Sequence, residues 1–275
     1  MSDPDISSVP QPSQAAVYRR YLQLTSIRAG QIPDASADGF AGLLLACVGF
    51  GVEGAELALA TTIAGGTFLG IDPSSERLKA AVRNGSCDFM VNTLDESLRV
   101  LKNELRKKKA LSVGLLGAAA TILPAMVERG VQPDLVADPG ISYGETDASQ
   151  YGSALLQLME RGAILVDEQA ATQFLDRRFI EMTWTAVNLA DLRVMDELAL
   201  QQLPAHDSIR RRWLHQASGC FHRQRPLQRV LGLRPDELQP FLSALNSAGS
   251  AKEFESGASV EWQAPDGSKE AISLR

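Results

Sequence analysis

The sequence predicts an α/β fold, an open parallel sheet with flanking helices, followed by a short C-terminal β-hairpin. Three observations lead there. From Gly42 onward, short apolar runs alternate with segments of helical periodicity, the pattern of right-handed βαβ units. The first run ends in a glycine-rich turn, "GFGVEG", with glycines at 49, 51 and 54. The second run, "TFLGID", ends in an acid, Asp72.

The elements follow in order. The start, "MSDPDISSVPQPSQ", is polar and rich in Pro and Ser, the reverse of a signal peptide, and residues 1–16 are expected as a disordered arm. "AAVYRRYLQLTSIRA" has helical spacing. "GLLLACVG" is a continuous apolar run, as in a strand buried on both faces. "EGAELALATTIAG" follows as a small-residue helix and "TFLGID" as a strand. "PSSERLKAAVRNG" reads as a helix with a serine cap and a glycine stop. In "LDESLRVLKNELRKKKA", Leu94, Leu98, Leu101 and Leu105 form one stripe, and the closing cations suit the helix dipole. "LSVGLLG" is expected as a central buried strand with "AAATILPAMVERG" packed on it. "PDLVAD", "SQYGSALLQLMERG", "AILVD" and "EQAATQFLDRRF" then continue the alternation of strand and helix. Asp191–Ser218 and Pro235–Ser247 read as helices, with a looser "RQRPLQRVLGLR" between them. The tail "ASVEWQAPDGSKEAISLR" alternates about Asp266-Gly267, a hairpin signal. The expected organisation is an arm over 1–16, one α/β domain over 17–250 and a hairpin tail over 251–275.

Composition narrows the function. The chain has 275 residues, 45% apolar and 22% charged, ordinary for a soluble globular protein. A net charge of −6 argues against a general nucleic-acid or membrane-surface binder. No apolar run approaches the roughly 20 residues that cross a bilayer. Three cysteines, Cys47, Cys87 and Cys220, have neither disulfide-framework nor C-x-x-C spacing, which fits a reducing cytoplasm. A homo-oligomer is left open.

The turn carries the chemistry. Gly49, Gly51 and Gly54 satisfy G-x-G-x-x-G. The first glycine takes a tight bend, the second lets backbone approach a pyrophosphate, and the third lets helix pack on strand. The helix opening near Val52 would offer free N–H groups and a partial positive charge. Asp72 stands about 20 residues on, where a carboxylate can take both ribose hydroxyls. With strand before, helix after and acid in place, the pattern is Rossmann-like and favours NAD over NADP, since the carboxylate repels a 2′-phosphate. Glu53 weighs against this, its charge sitting where a phosphate should come. The plain alternative is that the glycines only close the turn and Asp72 caps a helix. A rival is a methyltransferase-like enzyme using S-adenosylmethionine, but Leu45, Ala46 and Cys47 stand where such enzymes carry an acid.

Three stretches share more than a pattern with one family. "GFGVEGAELALATTIAGG", "GIDPSSERLKAAVRNGSCDFMVNTLDESLR" and, most specifically, "LSVGLLGAAATILPAMVERGVQPDLVAD" resemble urocanase, the lyase of histidine breakdown that uses a tightly held NAD as an electrophile. The resemblance runs roughly from Gly39 to Ser250. It implies a pyrophosphate turn at Gly51, Val52 and Glu53, a ribose acid at Asp72 with a companion at Arg77, and a cofactor-holding pair at Ala118 and Ala119. The family's asparagine in that pair is alanine here. "PGISYGE" replaces a polar Gln-Thr-Ser-Ala-His loop, "DEQAA" replaces Asp-Tyr-Gly-Asn-Asn, and the signature cysteine opposite "FHRQRPLQRVLG" is missing, with Cys220 out of register. The family's N-terminal and C-terminal portions have no counterpart. The resemblance therefore implies an inherited fold with urocanate hydratase activity lost. A non-catalytic interaction protein that keeps the fold is the remaining alternative.

One further block stands out. Between Ser208 and Pro235 lie seven arginines, His215 and His222, and no acid. The block from Arg210 to Arg234 is suited to a small anionic ligand, with some of Arg210, Arg211, Arg223, Arg225 and Arg229 facing one cleft. The alternative is a set of arginines paired with carboxylates elsewhere. Cys220, His215 and His222 lack zinc spacing, so no metal is expected.

Overall fold

The computed structural model describes residues 12–31, 39–139, 145–166, 179–222, 224–250, 254, 257–263 and 268–274. The chain divides into two compact units, one ending at Phe174 and the other beginning at Leu175.

The first unit is built on six parallel strands, β1 (Leu44–Val48), β2 (Thr67–Asp72), β3 (Phe89–Val91), β4 (Leu111–Leu116), β5 (Leu135–Ala137) and β6 (Ile164–Leu165), in the order β3-β4-β2-β1-β5-β6. Every residue of β1, β2 and β5 is buried, as continuous apolar runs in a covered parallel sheet require. Five helices are interleaved with these strands: α2 (Val52–Ile63), α3 (Ser75–Asn84), α4 (Leu94–Arg106), α5 (Ala119–Glu128) and α6 (Glu145–Glu160).

Local chemistry sets their ends. The Ser74 hydroxyl accepts from the Arg77 N–H to open α3, and Gly85 closes it at φ +81°. Thr93 opens α4 by accepting from the Glu96 N–H. On α4, Leu94 and Leu101 are buried in the core, and Leu98 and Leu105 pack against it. Ahead of the sheet, α1 (Gln14–Gln31) packs on α2 and buries Val17, Tyr18, Tyr21 and Leu24. It begins inside the segment read as an arm; residues 1–11 lie outside those described.

Two expectations need adjusting here. The strand "LSVGLLG" is interior, paired with β2 on one side and β3 on the other, but its following helix rests chiefly on α6 and β2. A crossover from β4 must pass β2 and β1 to reach β5, so the helix lies over the strands it passes. β3 went unread because three residues are too short for an alternation. The expected helix "EQAATQFLDRRF" and the segment "DEQAA" fall almost wholly outside the described residues.

The second unit has its own sheet. β7 (Ile180–Ala186), β8 (Leu227–Leu233), β9 (Ala258–Gln263) and β10 (Lys269–Leu274) pair antiparallel in the order β10-β9-β7-β8. The predicted hairpin pairs from Lys269 opposite Gln263 to Leu274 opposite Ala258, its Asp266-Gly267 turn lying outside the described residues. It is half of a larger sheet, joined by α7 (Leu189–Gln202), α8 (Ser208–Cys220) and α9 (Pro235–Ser250). The α/β domain expected to run to residue 250 thus divides near Phe174. β8 is the segment read as looser, because Arg229 interrupts its apolar run. The Trp213 indole N–H donates to the Val230 carbonyl at 2.6 Å and Arg210 to the Gly232 carbonyl at 3.0 Å, so α8 covers carbonyls of a strand that has one sheet partner.

Gly70 of β2 tests the packing of the first sheet. A Cβ there would lie 2.3 Å from the ring of Phe50, which is fully buried. Gly70→Ala should cost about 1–3 kcal/mol in chemical denaturation. Gly152→Ala, inside α6 with nothing within 4 Å of the added carbon, should instead stabilise by about 0.5–1 kcal/mol.

Candidate functional site

In an open parallel sheet, ligand sites form beyond the carboxyl ends of the strands where strand order reverses. β1 is that point, with β2 on one side and β5 on the other. The residues that leave β1 are Gly49 to Gly54. Gly49 has φ +88° and donates to the Ile71 carbonyl at 2.7 Å. A Cβ on Gly54 would lie 2.4 Å from the Gly49 carbonyl oxygen, so the first turn of α2 passes too close for any side chain. Gly51 is the N-cap of α2 and no side chain caps it. Val52 is exposed and Glu53 half-buried in the first helical turn, where an acid complements the dipole. Between the glycines, Phe50 turns inward and meets Phe68 edge-on at 5.5 Å.

Asp72 closes the turn from below. It has no solvent exposure. One carboxylate oxygen accepts from the Ser74 N–H at 2.7 Å and from Arg77 Nη2 at 2.9 Å. The other accepts from the Phe50 N–H at 2.8 Å and from Arg77 Nε at 3.0 Å. Its main-chain carbonyl accepts from the Gly117 N–H at 3.0 Å. One residue therefore links the turn after β1, the start of α3 and the turn after β4. Ala118, exposed, is the N-cap of α5 without a side-chain cap, and Ala119 is buried.

The structure thus gathers the glycine turn, Asp72 and Arg77 into one hydrogen-bonded group, with Ala118 one residue beyond it. Phe50 and Gly117, which complete the group, were not singled out in the sequence, and Ser74 was read there only as a helix cap. Gly70 inside a strand could have announced the close approach of Phe50. Asp72 does not fit the ribose-acceptor role in this arrangement, since both its oxygens already carry two donors.

The surroundings are structural. Glu56 of α2 is pushed up by burial, with Arg20 opposing and the neighbouring Glu53 adding to the rise; Arg20 Nε stands 3.7 Å from it. Burial pushes the Cys87 thiol up to about 12, so it is not a nucleophile at neutral pH. Cys47 is buried and Cys220 exposed. No group of three or more His, Cys, Asp or Glu that could hold a metal occurs among the described residues, and none of the described helices is long and apolar enough to cross a membrane.

The arginine block lies in the second unit. Arg210 is buried and holds Glu237 at 2.8 Å, Asp207 at 2.7 Å and the Phe179 ring at 4.9 Å from its centroid. Arg229 grips Asp196, which also accepts from the Trp184 indole N–H at 2.9 Å. Arg211 donates to the Leu200 and Leu203 carbonyls, and Arg225 to those of His222 and Gln224. Each of these four guanidinium groups has an internal partner. Arg223 lies outside the described residues.

A parallel sheet whose first turn bends on glycines into a helix, with an acid ending the next strand, is Rossmann-like, a nucleotide-binding architecture in general. Residues 23–174 match the model of the urocanase Rossmann-like domain. The chain belongs to the urocanase family. Among solved structures it is similar to "The structure of PKMT2 from Rickettsia typhi in complex with AdoHcy", at 13% identity and a TM-score of 0.33, over 76% of this chain and 33% of that one. The chain thus spans about a third of that structure, and a likeness this low bears on neither cofactor nor activity.

Asp72→Asn should destabilise the fold by about 3 kcal/mol. An amide keeps one acceptor but turns a donor against the Phe50 or Ser74 N–H. Urea denaturation, read with a near-native circular dichroism spectrum, checks this. In the second unit, burial alone would raise Glu237, but the hydrogen bonds from Arg210 and the Arg234 N–H outweigh it and hold it low. A depressed folded value means its contribution is present above the ordinary carboxylate range and lost as pH falls through that lowered value. Stability measured from pH 7 downward should fall with a slope that Glu237→Gln reduces.

Proposed function

We propose that this chain is a nucleotide-binding member of the urocanase family that holds NAD through its pyrophosphate and no longer hydrates urocanate. The observation that carries the reading is the turn at the switch point. Gly49 bends at φ +88°, Gly54 leaves no room for a side chain, and Gly51 caps α2 without one, which supports a phosphate held by backbone N–H groups at the helix start. The pyrophosphate end of NAD fits these residues. The ribose end fits less well, because Asp72 is engaged by Phe50, Ser74 and Arg77, and with its charge balanced by Arg77 its bias against a 2′-phosphate weakens.

Loss of hydration is supported by the missing parts. NAD supplies an electrophilic nicotinamide when bound, but the residues that would fix it and the substrate are replaced. Ala118 offers no amide, "PGISYGE" stands for a polar loop, and Cys220 is the last residue of α8 in the second unit. Positioning alone contributes about 7–11 kcal/mol to such barriers, so partial loss of the site suffices. The closure of Asp72 favours a second reading, in which the chain keeps the fold and binds no nucleotide.

Thermal unfolding with NAD, NADP and S-adenosylmethionine separates these. NAD should raise the transition, by about 2.7 kcal/mol at a hundredfold excess over Kd. A larger rise with S-adenosylmethionine moves the protein to a methyltransferase-like class. No rise with any of them, together with no small molecule in the mass spectrum of denatured protein, establishes the second reading. Urocanate absorbance should stay constant with purified protein and NAD; turnover near 10 per second, roughly that of an ordinary enzyme, would overturn the loss of activity.

A further inference from the structure

The second unit contains a cleft of about 290 Å³, near the lower end of the roughly 300–1,000 Å³ usual for small-molecule sites. One wall is a single face of α7, formed by Leu189, Leu192, Arg193 and Asp196 at helical spacing. The cleft is also lined by Ser218 and Gly219 of α8, His222 just after it and Arg229 of β8.

Asp196 and Arg229 are an ion pair, 9% and 1% exposed at their side chains, and their charges cancel. His222 Nδ1 lies 2.6 Å from the Gly219 carbonyl, which can only accept, so Nδ1 carries the hydrogen. Arg193 brings a further positive charge to the lining. It is exposed, and among the described residues no ion pair or hydrogen bond engages it. Beside it, Leu189 is 37% exposed although it is a leucine, and Leu192 is 4% exposed. A cation next to an exposed leucine, in a lining whose other ion pair is neutralised, calls for a ligand with one negative group and an apolar body.

We propose that this cleft binds a small carboxylate with an apolar body, Arg193 taking the carboxylate and Leu189 the apolar part. The site is independent of the nucleotide reading, since all of its residues belong to the second unit.

The test is an amide-resolved NMR titration of the full chain with benzoate and isovalerate, and with inorganic phosphate and benzyl alcohol as probes lacking one half of the chemistry. Saturable shifts from benzoate or isovalerate at the Leu189–Arg193 and Ser218–His222 amides are expected, with weaker responses to the other two. Arg193→Glu, an exposed change, should raise the benzoate Kd at least about tenfold, and Leu189→Ser should weaken benzoate but not phosphate. Absence of saturable shifts from both carboxylates at ~10 mM, above the millimolar Kd of a weak site, overturns the proposal. So does unchanged affinity in Arg193→Glu, or phosphate binding as tightly as benzoate.

Discussion

The first unit depends on a carboxylate that never meets water. A buried charge is tolerated only when it is paired and its lone pairs are filled. Asp72 satisfies this with two backbone N–H groups and the guanidinium of Arg77. Its partners come from the turn after β1 and from the opening of α3, and its own carbonyl holds the turn after β4. Three loops that share no regular secondary structure are thereby fixed relative to one another. The glycine turn cannot drift, because its central N–H is tied to the strand next door and Phe50 is wedged over Gly70.

For the proposed dinucleotide, this arrangement has opposite consequences at the two ends. Rigidity of the turn favours a phosphate, since N–H groups held in place pay little entropy when the ligand arrives. The same hydrogen bonds occupy the acid that would hold a ribose. A glycine turn with an acid is thus a phosphate cradle, a fold clamp, or both, according to which donors fill the carboxylate.

The second unit solves a similar problem with the sign reversed. Arg210 and Arg229 are cations taken almost wholly out of water. Glu237 with Asp207, and Asp196, compensate them. Arg210 also reaches a main-chain carbonyl of β8, so the pairing that neutralises it locks α8 to the sheet. The clustering of arginines along the chain reflects in part where acids from α7 and α9 arrive in space. Arg193, outside that cluster, is exposed beside Leu189.

The sequence by itself determined the alternation of strands and helices, the position of the glycine turn, the serine cap and glycine stop of α3, and the terminal hairpin. Those features rest on local periodicity and on backbone conformations that neighbouring residues dictate. Resemblance in three stretches was enough to place the family. Only the tertiary structure decided that Asp72 is saturated, because beside Arg77 its donors are the backbone N–H groups of Phe50 and Ser74, which no residue type announces. Only it decided that "RQRPLQRVLGLR" contains a strand, since Arg229 reads as exposed until Asp196 and Trp184 meet it. The division near Phe174 was likewise hidden, because helices of similar composition serve both sheets and the pairing of β7 with β8 and β9 joins segments far apart in the chain.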